Sequence, residues 1–193
     1  ETRQTGSTLK RPFGNMDDHA LMERVSRGDR DAFTAIVARY APALQKFAVR
    51  LLLQQQQAEE VVQETLTRAW QRASDYDPNR ARLSTWLHRI AHNLCVDVLR
   101  RQGRELSVAH ASETALTAID SAETAITALE TNNKIALAIA ALSERHRTAL
   151  VLTYYQCLSN REVAEIMSLS VRALESLLAR ARQQIKITLE ESS

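Results

Sequence analysis

The stretch Ser159-Asn-Arg-Glu-Val-Ala-Glu-Ile-Met-Ser-Leu-Ser-Val-Arg-Ala-Leu-Glu-Ser-Leu-Leu-Ala-Arg-Ala-Arg182 decides the fold. Ser159 and Glu162 stand three apart, the spacing of a capping box. The helix they open carries Val163, Ile166 and Met167 on its apolar side. Ser168-Leu169-Ser170 makes a short turn, and Ser170 caps a longer helix from about Val171 to Leu189. A short helix, a tight turn and a longer basic helix make a helix-turn-helix, whose second helix enters a DNA major groove. Ala164 is small where the two helices cross closely. Leu169, Leu174 and Leu178 face inward, which turns Arg172, Ala173, Glu175, Ser176 and Ala179 outward. Arg172 suits guanine and Glu175 suits cytosine N4, each good contact giving about 1–3 kcal/mol of discrimination. Arg180, Arg182 and Lys186 suit phosphates, and Ser170 and Ser176 complete the candidate duplex-reading set. The bland alternative is a helical hairpin with a solvated charged face.

Working outward, residues 134–158 continue the same module. Ile135, Ile139 and Leu142 form one stripe, and Ser143 caps a helix carrying Leu150, Val151, Tyr154 and Tyr155. Upstream, residues 105–133 carry Glu105, Glu113, Asp120, Glu123 and Glu130 with no Lys or Arg. This acidic, Ala/Thr/Ser-rich segment reads as a flexible linker, mobile from Leu106 to Asn132. Fully extended, that span reaches roughly 90 Å at about 3.3 Å per residue, enough for about two turns of DNA. Before it, Asp77 to Arg104 holds Arg80, Arg82, Arg89, Arg100, Arg101 and Arg104 against Asp77 and Asp97. Two cationic modules on an anionic connector suggest two contacts with a polyanion.

The first cationic module spans residues 16–104. A short helix runs from about Asp18 to Arg27 and stops at Gly28, and Asp29 caps the next. Phe33, Ile36, Val37, Tyr40, Leu44, Phe47 and Leu51 recur at helical spacing, with Pro42 expected to bend or break the helix. Gln54 to Gln57 reads as a polar junction before a third helix from about Ala58 to Ala73. Ser74 to Leu83 has turn chemistry in Asp75, Asp77, Pro78 and Asn79. Ser84 is the expected cap of a fourth helix to about Arg101, with Gly103 ending the module. Asn93, Asp97 and arginines on that helix can bond unpaired base edges, and the loop before it can hold an extruded base. Trp86 is either a wedge at a strand-separation point or core, since it shares a stripe with Ile90, Leu94 and Val98. Glu60, Gln63 and Glu64 are a polar helix face that either meets a basic partner or is solvated.

The whole reads as all-α: two small helical domains joined by a flexible linker. Four Gly and three Pro in 193 residues are few breakers for so long a chain. Residues 1–15 are polar, read as a disordered extension ahead of Met16, and lack the apolar core of a signal peptide. No apolar run is long enough for membrane insertion. Cys95 and Cys157 lack disulfide spacing, which points to a reducing cytoplasm. His88, His92 and Cys95 share a helix face, but three ligands without a fourth make no zinc site, so no metal or cofactor is expected. Phosphate loops, G-x-S-x-G, H-E-x-x-H and Cys-x-x-Cys are all lacking, so no catalytic residue is assigned.

Together these segments resemble the extracytoplasmic-function sigma factors, the two-domain minimal form of the sigma-70 family. The resemblance covers about Asp18 to Leu189. Asp31-Ala-Phe33-x6-Tyr40 looks like the family's opening helix, and Glu60-Val-Val-Gln63-Glu64-Thr-Leu66-x3-Trp70 is similar to its region 2.2. Ser84-Thr-Trp86-Leu-x-Arg89-Ile-Ala-x-Asn93-x3-Asp97-x2-Arg100-Arg101 looks like regions 2.3 and 2.4, and Leu142 through Arg182 like region 4. The resemblance implies a promoter-directing subunit of RNA polymerase. Glu60, Gln63, Glu64 and Leu66 would contact the β′ clamp helices. Asn79, Arg80, Arg82, Trp86, Arg89, Asn93 and Asp97 would read and hold the melted −10 element, with Arg100 and Arg101 on nearby phosphates. The last helix would read the −35 duplex through Ser170, Arg172, Glu175, Ser176, Arg180 and Arg182, and the helices before it would meet the β flap. An anti-sigma factor would hold the chain inactive. Glu175-Ser176-Leu177 departs from the Lys-Ser-Arg of many members, which leaves the −35 sequence open. A stand-alone helix-turn-helix regulator and a helical enzyme are the competing readings.

Overall fold

The computed structural model describes residues 16–109 and 134–191. The expected N-terminal extension and most of the expected linker lie outside them. Among the described residues there are helices and turns and no strand.

Helix α1 (Asp18–Ser26) ends before Gly28, whose φ of 84° is a left-handed conformation that glycine adopts at little cost. The Asp29 carboxylate then accepts the amides of Asp31 and Ala32 at 2.9 and 3.0 Å and starts α2 (Arg30–Leu52). The Ala32 amide, with Arg24 beside it, holds the Asp29 carboxyl below the usual range. Pro42 does not break α2, which runs through it without interruption. Pro42 is exposed, so water can serve the carbonyl that loses its partner, while Ile36, Leu44, Phe47 and Leu51 are fully buried and hold the helix on both sides.

Leu53, in the left-handed region, turns the chain into α3 (Gln55–Gln71). The glutamine run is therefore the first turn of α3 rather than a junction, with Gln55 Nε2 donating to Glu59 Oε1 at 2.7 Å. A single 3-10 turn (Ala73–Asp75) leads to a loop. In that loop Asp77 Oδ1 accepts the Asn79 amide at 2.9 Å, the Asx turn its composition promises. Helix α4 (Leu83–Ala109) begins earlier and ends later than expected. Trp86 N–H donates to the Arg82 carbonyl, so Ser84 lies in the first turn instead of capping it. Gly103 does not stop the helix, which continues into the expected linker. A Cβ there would meet nothing within 4 Å, and one exposed glycine costs a helix only about 1 kcal/mol.

In the second lobe, residues 134–140 form α5, followed by α6 (Glu144–Leu150). Ser143 precedes α6 as expected, but its hydroxyl pairs with His146 Nδ1 at 3.0 Å instead of capping a backbone amide. Val151–Tyr155 widens into a π-helical turn, closed by Gln156 N–H to the Val151 carbonyl at 3.1 Å. Buried Arg147 donates to the Ala140 carbonyl at 2.9 Å, tying the end of α5 to α6. The capping box at Ser159 and Glu162 opens α7 (Asn160–Ile166), and α8 (Val171–Glu191) follows.

Helices α1–α4 bury Leu21, Phe47 and Leu87 completely between them. Helices α6–α8 close on Leu152, Val163, Ile166, Leu174 and Leu178, and Ala164 is buried at their crossing. The buried residues of both lobes form one continuous cluster. Leu174→Ala is expected to lower the unfolding free energy by about 2–5 kcal/mol, read from urea denaturation, because it opens a cavity under α8. Cys95 is buried, and burial, with Glu144 nearby, pushes its thiol up to about 12, whereas Cys157 is exposed. An aromatic disulfide reagent should therefore titrate one thiol in native protein and both in denaturant.

Candidate nucleic-acid interface

One polar face belongs to α8. Leu174 and Leu178 point into the core, which leaves Arg172, Glu175, Ser176 and Arg180 exposed on the opposite side. Leu169 and Leu177 are half-buried. Ser170 Oγ accepts the Ala173 amide at 3.1 Å, so the expected cap forms. Ser176 Oγ donates to the Arg172 carbonyl at 3.1 Å. Arg182 is exposed but anchored, its guanidinium donating to the Tyr154 hydroxyl at 3.1 Å.

A second face follows α4 and the loop before it. Leu83, Leu87, Ala91, Leu94 and Cys95 make the buried stripe. On the other side Arg89, Asn93, Asp97 and Arg101 stand at successive four-residue steps, all exposed, with Arg100 beside them. Asn79, Arg80 and Arg82 are exposed on the loop at its N-terminal end. Trp86 is half-buried: it packs against the core, and its ring lies 5.6 Å from Tyr76, which braces it from the loop side.

A third face lies on α3. Glu60, Gln63 and Glu64 are exposed, with Glu64 accepting from Arg68 at 2.7 Å. Leu66 is half-buried against the core, so only its edge reaches solvent. His88, His92 and Cys95 gather no metal site among the described residues. His88 Nδ1 donates to the Ser84 carbonyl at 2.8 Å, and its ring stands edge-on to Phe47 at 5.5 Å.

Sequence reasoning missed how the lobes meet. Helix α7 lies along α4, and the π-helical turn lies on α2. Thr85 Oγ1 donates to Glu162 Oε1 at 3.0 Å across a separation of 77 positions. Arg82 and Arg89 reach Glu162 and Glu165, each at 4.0 Å. The Arg50 guanidinium sits 4.3 Å above the Tyr155 ring. Glu162 also serves the capping box, accepting from the Ser159 amide at 2.9 Å and its hydroxyl at 2.6 Å. Burial pushes the Glu162 carboxyl up, but Ser159, Thr85 and Arg82 outweigh it and hold the group below its ordinary range. No periodicity in the sequence signals a pairing between such distant positions.

Residues 36–105 match the family model of Sigma-70 region 2, and residues 132–185 match that of Sigma-70, region 4. The chain is 32% identical over 179 residues to the ECF RNA polymerase sigma factor SigW of Bacillus subtilis, covering 88% of this chain and 95% of that protein. The chain belongs to the ECF RNA polymerase sigma factors. It is also 32% identical over 182 residues to the RNA polymerase sigma-H factor of Pseudomonas aeruginosa, covering 90% of this chain and 94% of that one. Among solved structures, that of CnrH in complex with the cytosolic domain of CnrY aligns with a TM-score of 0.69 and 27% identity, covering 91% of this chain and 99% of CnrH. The sigma factor RpoE in complex with the anti-sigma factor NepR, from Bartonella quintana, aligns with the same score of 0.69 and 26% identity, covering 82% and 96%. As an ECF sigma factor, the chain directs RNA polymerase to promoters. The polymerase-independent regulator gives way to this assignment.

Buried His88 and His92 give the sigma factor a pH dependence. Burial pushes both imidazoles below their ordinary value of 6.5, so the folded protein keeps them neutral. Below that value the unfolded chain takes up protons that the folded chain refuses, so stability falls as pH drops. Thermal unfolding followed between pH 7.5 and 5.5 is expected to show a declining midpoint, with a shallower decline in His88→Gln.

Proposed function

We propose that the three faces divide the work of initiation. Region 2, residues 16–104, would dock on the β′ clamp helices through Glu60, Gln63, Glu64 and the edge of Leu66. The loop and α4 would hold the opened −10 strand: Asn79, Arg80 and Arg82 around an extruded base, Trp86 as platform, and Arg89, Asn93 and Asp97 on base edges. Extrusion costs a few kcal/mol, which stacking and edge contacts must offset. Arg100 and Arg101 would bind adjacent phosphates. Region 4, residues 134–193, would present Ser170, Arg172, Glu175 and Ser176 to the −35 major groove, with Arg180 and Arg182 on phosphates. The helices before it would meet the β flap. The acidic residues 105–133 would bridge the two lobes, lying in the basic RNA path of the polymerase.

The observation that carries this reading is the exposed edge of α4. Polar residues at successive helical steps above a buried stripe make a rail that can follow a single strand. Control by an anti-sigma factor is proposed from the Bartonella quintana relative, whose structure holds one. The work would be done in the cytoplasm, without a cofactor and without catalysis by this chain. No helix among the described residues is long and apolar enough to cross a membrane.

Run-off transcription with purified core polymerase on genomic fragments is the test, and a start-site-specific transcript is expected. Glu64→Lys should weaken core binding by about 2–5 kcal/mol, as expected when a charge is reversed at a complementary interface, with an unchanged helical signal by circular dichroism. Unchanged affinity would remove the assigned β′ contact. Arg172→Ala should cost about 1–3 kcal/mol at the preferred −35 sequence and less at others. A loss uniform over all −35 sequences would make Arg172 a phosphate contact.

A further inference from the structure

Between the loop before α4 and the start of α7 lies an open cleft of about 730 Å³. That is inside the size range of small-molecule sites, about 300–1,000 Å³. Its cations are Arg80 and Arg82 from the loop and Arg161 from the first turn of α7, all exposed. Arg80 and Arg161 make no ion pair among the described residues, and Arg82 reaches Glu162 only at 4.0 Å. Glu162 and Glu165 also line the cleft, but both are engaged: Glu162 by Ser159 and Thr85, Glu165 by Arg89 at 4.0 Å. The π-helical turn contributes Thr153 and Tyr154. The Thr153 hydroxyl is buried with no hydrogen-bond partner, which leaves a donor in want of an acceptor. Tyr154 is 49% exposed, so its ring is available for stacking, and its hydroxyl holds the Arg182 guanidinium at 3.1 Å.

We propose that this cleft is a binding site for a nucleoside polyphosphate, with the phosphates on Arg80, Arg82 and Arg161 and the base on the Tyr154 ring. A guanidinium takes phosphate oxygens through paired, charge-assisted hydrogen bonds, stronger than the long, solvent-screened ion pair that Arg82 makes in the free protein. Guanidinia drawn from two separate elements suit a chain of two or three phosphates better than a single one. The orphaned Thr153 hydroxyl gains an acceptor in the same ligand. A flat base stacks on an exposed tyrosine whatever its edge groups are, so the ring gives affinity without fixing which base is bound. The site stands on the cleft itself and goes beyond the −10 assignment. Because Arg80 and Arg82 would serve both, a bound nucleotide would deny them to the strand.

The protein carries its own reporter for the test, since Cys157 lines the cleft and is exposed while Cys95 is buried. The probes are ATP and inorganic tripolyphosphate in metal-free buffer at about 0.15 M salt, where non-specific attraction is screened. Affinity is read by calorimetry, and alkylation of Cys157 by uncharged iodoacetamide is followed by mass spectrometry. ATP is expected to slow that alkylation at least about fivefold and to bind at least about threefold more tightly than tripolyphosphate, an advantage that Tyr154→Leu removes. Arg80→Ala/Arg161→Ala is expected to weaken ATP binding at least about tenfold, as the loss of charge-assisted phosphate contacts requires. Arg145→Ala/Lys186→Ala removes the same charge from residues outside the lining and is expected to leave affinity within about twofold. All five substituted positions are exposed, so the variants are expected to keep the fold. Equal weakening by the two double variants would mean general attraction to a basic surface and would overturn the site. ATP binding that leaves Cys157 fully reactive would overturn it too. Equal affinity for ATP and tripolyphosphate would overturn the nucleotide assignment. None of these readouts uses DNA, so failure of the −10 assignment would not alter them.

Discussion

A helix can bury only one stripe, and in this chain the buried stripe of α4 sets nearly everything else. Leu83, Leu87, Ala91 and Leu94 are spent on the core with α2 and α3. Their burial leaves no freedom in the direction of Arg89, Asn93, Asp97 and Arg101, which emerge on the far side at fixed intervals. The same constraint half-buries Trp86, because its position falls at the margin of the stripe. A side chain there gains rigidity from the core and keeps one edge available, with Tyr76 against it. The wedge and core alternatives for Trp86 are thus two sides of one placement.

The acidic edge of α7 answers a different need. Glu162 closes the capping box that starts the first helix of the helix-turn-helix, and its second oxygen bonds Thr85 of the other lobe. Local folding and inter-lobe contact therefore share one carboxylate. Its depressed proton affinity reflects that shared duty, since three donors and a guanidinium favour the charged form over the effect of burial. Fold recognition by family covers each lobe; their mutual arrangement is a property of contacts such as this one.

Most of the architecture was legible because it rests on local signals. The capping box, the Asp29 cap, the Gly28 stop and the Asx turn at Asp77 each involve residues within a few positions, and each forms as its chemistry suggests. Misjudged points were those where a local preference is outweighed or is too weak to decide. Pro42 and Gly103 are both helix breakers by propensity, and both lie inside helices. The stripe flanking Pro42 is buried while Pro42 itself faces water, and one exposed glycine such as Gly103 costs a helix only about 1 kcal/mol. The three polar faces were read from residue type at helical spacing, which geometry preserves. Thr85–Glu162 and Arg89–Glu165 were beyond reach, since pairing across two lobes leaves no periodic trace.

The π-helical turn at Val151–Tyr155 has a consequence of its own. By taking in one residue more than an α-helical turn would hold, it sends both Tyr154 and Tyr155 outward, one to Arg182 and the other to Arg50. It therefore works as a way of seating two anchors side by side. Removing one residue there would restore regular winding with the downstream chain nearly in phase, since a π turn takes up its extra residue within one turn. The recognition helix would keep its azimuth, and what would be lost is the pair of outward tyrosines, one seated on an arginine of each lobe.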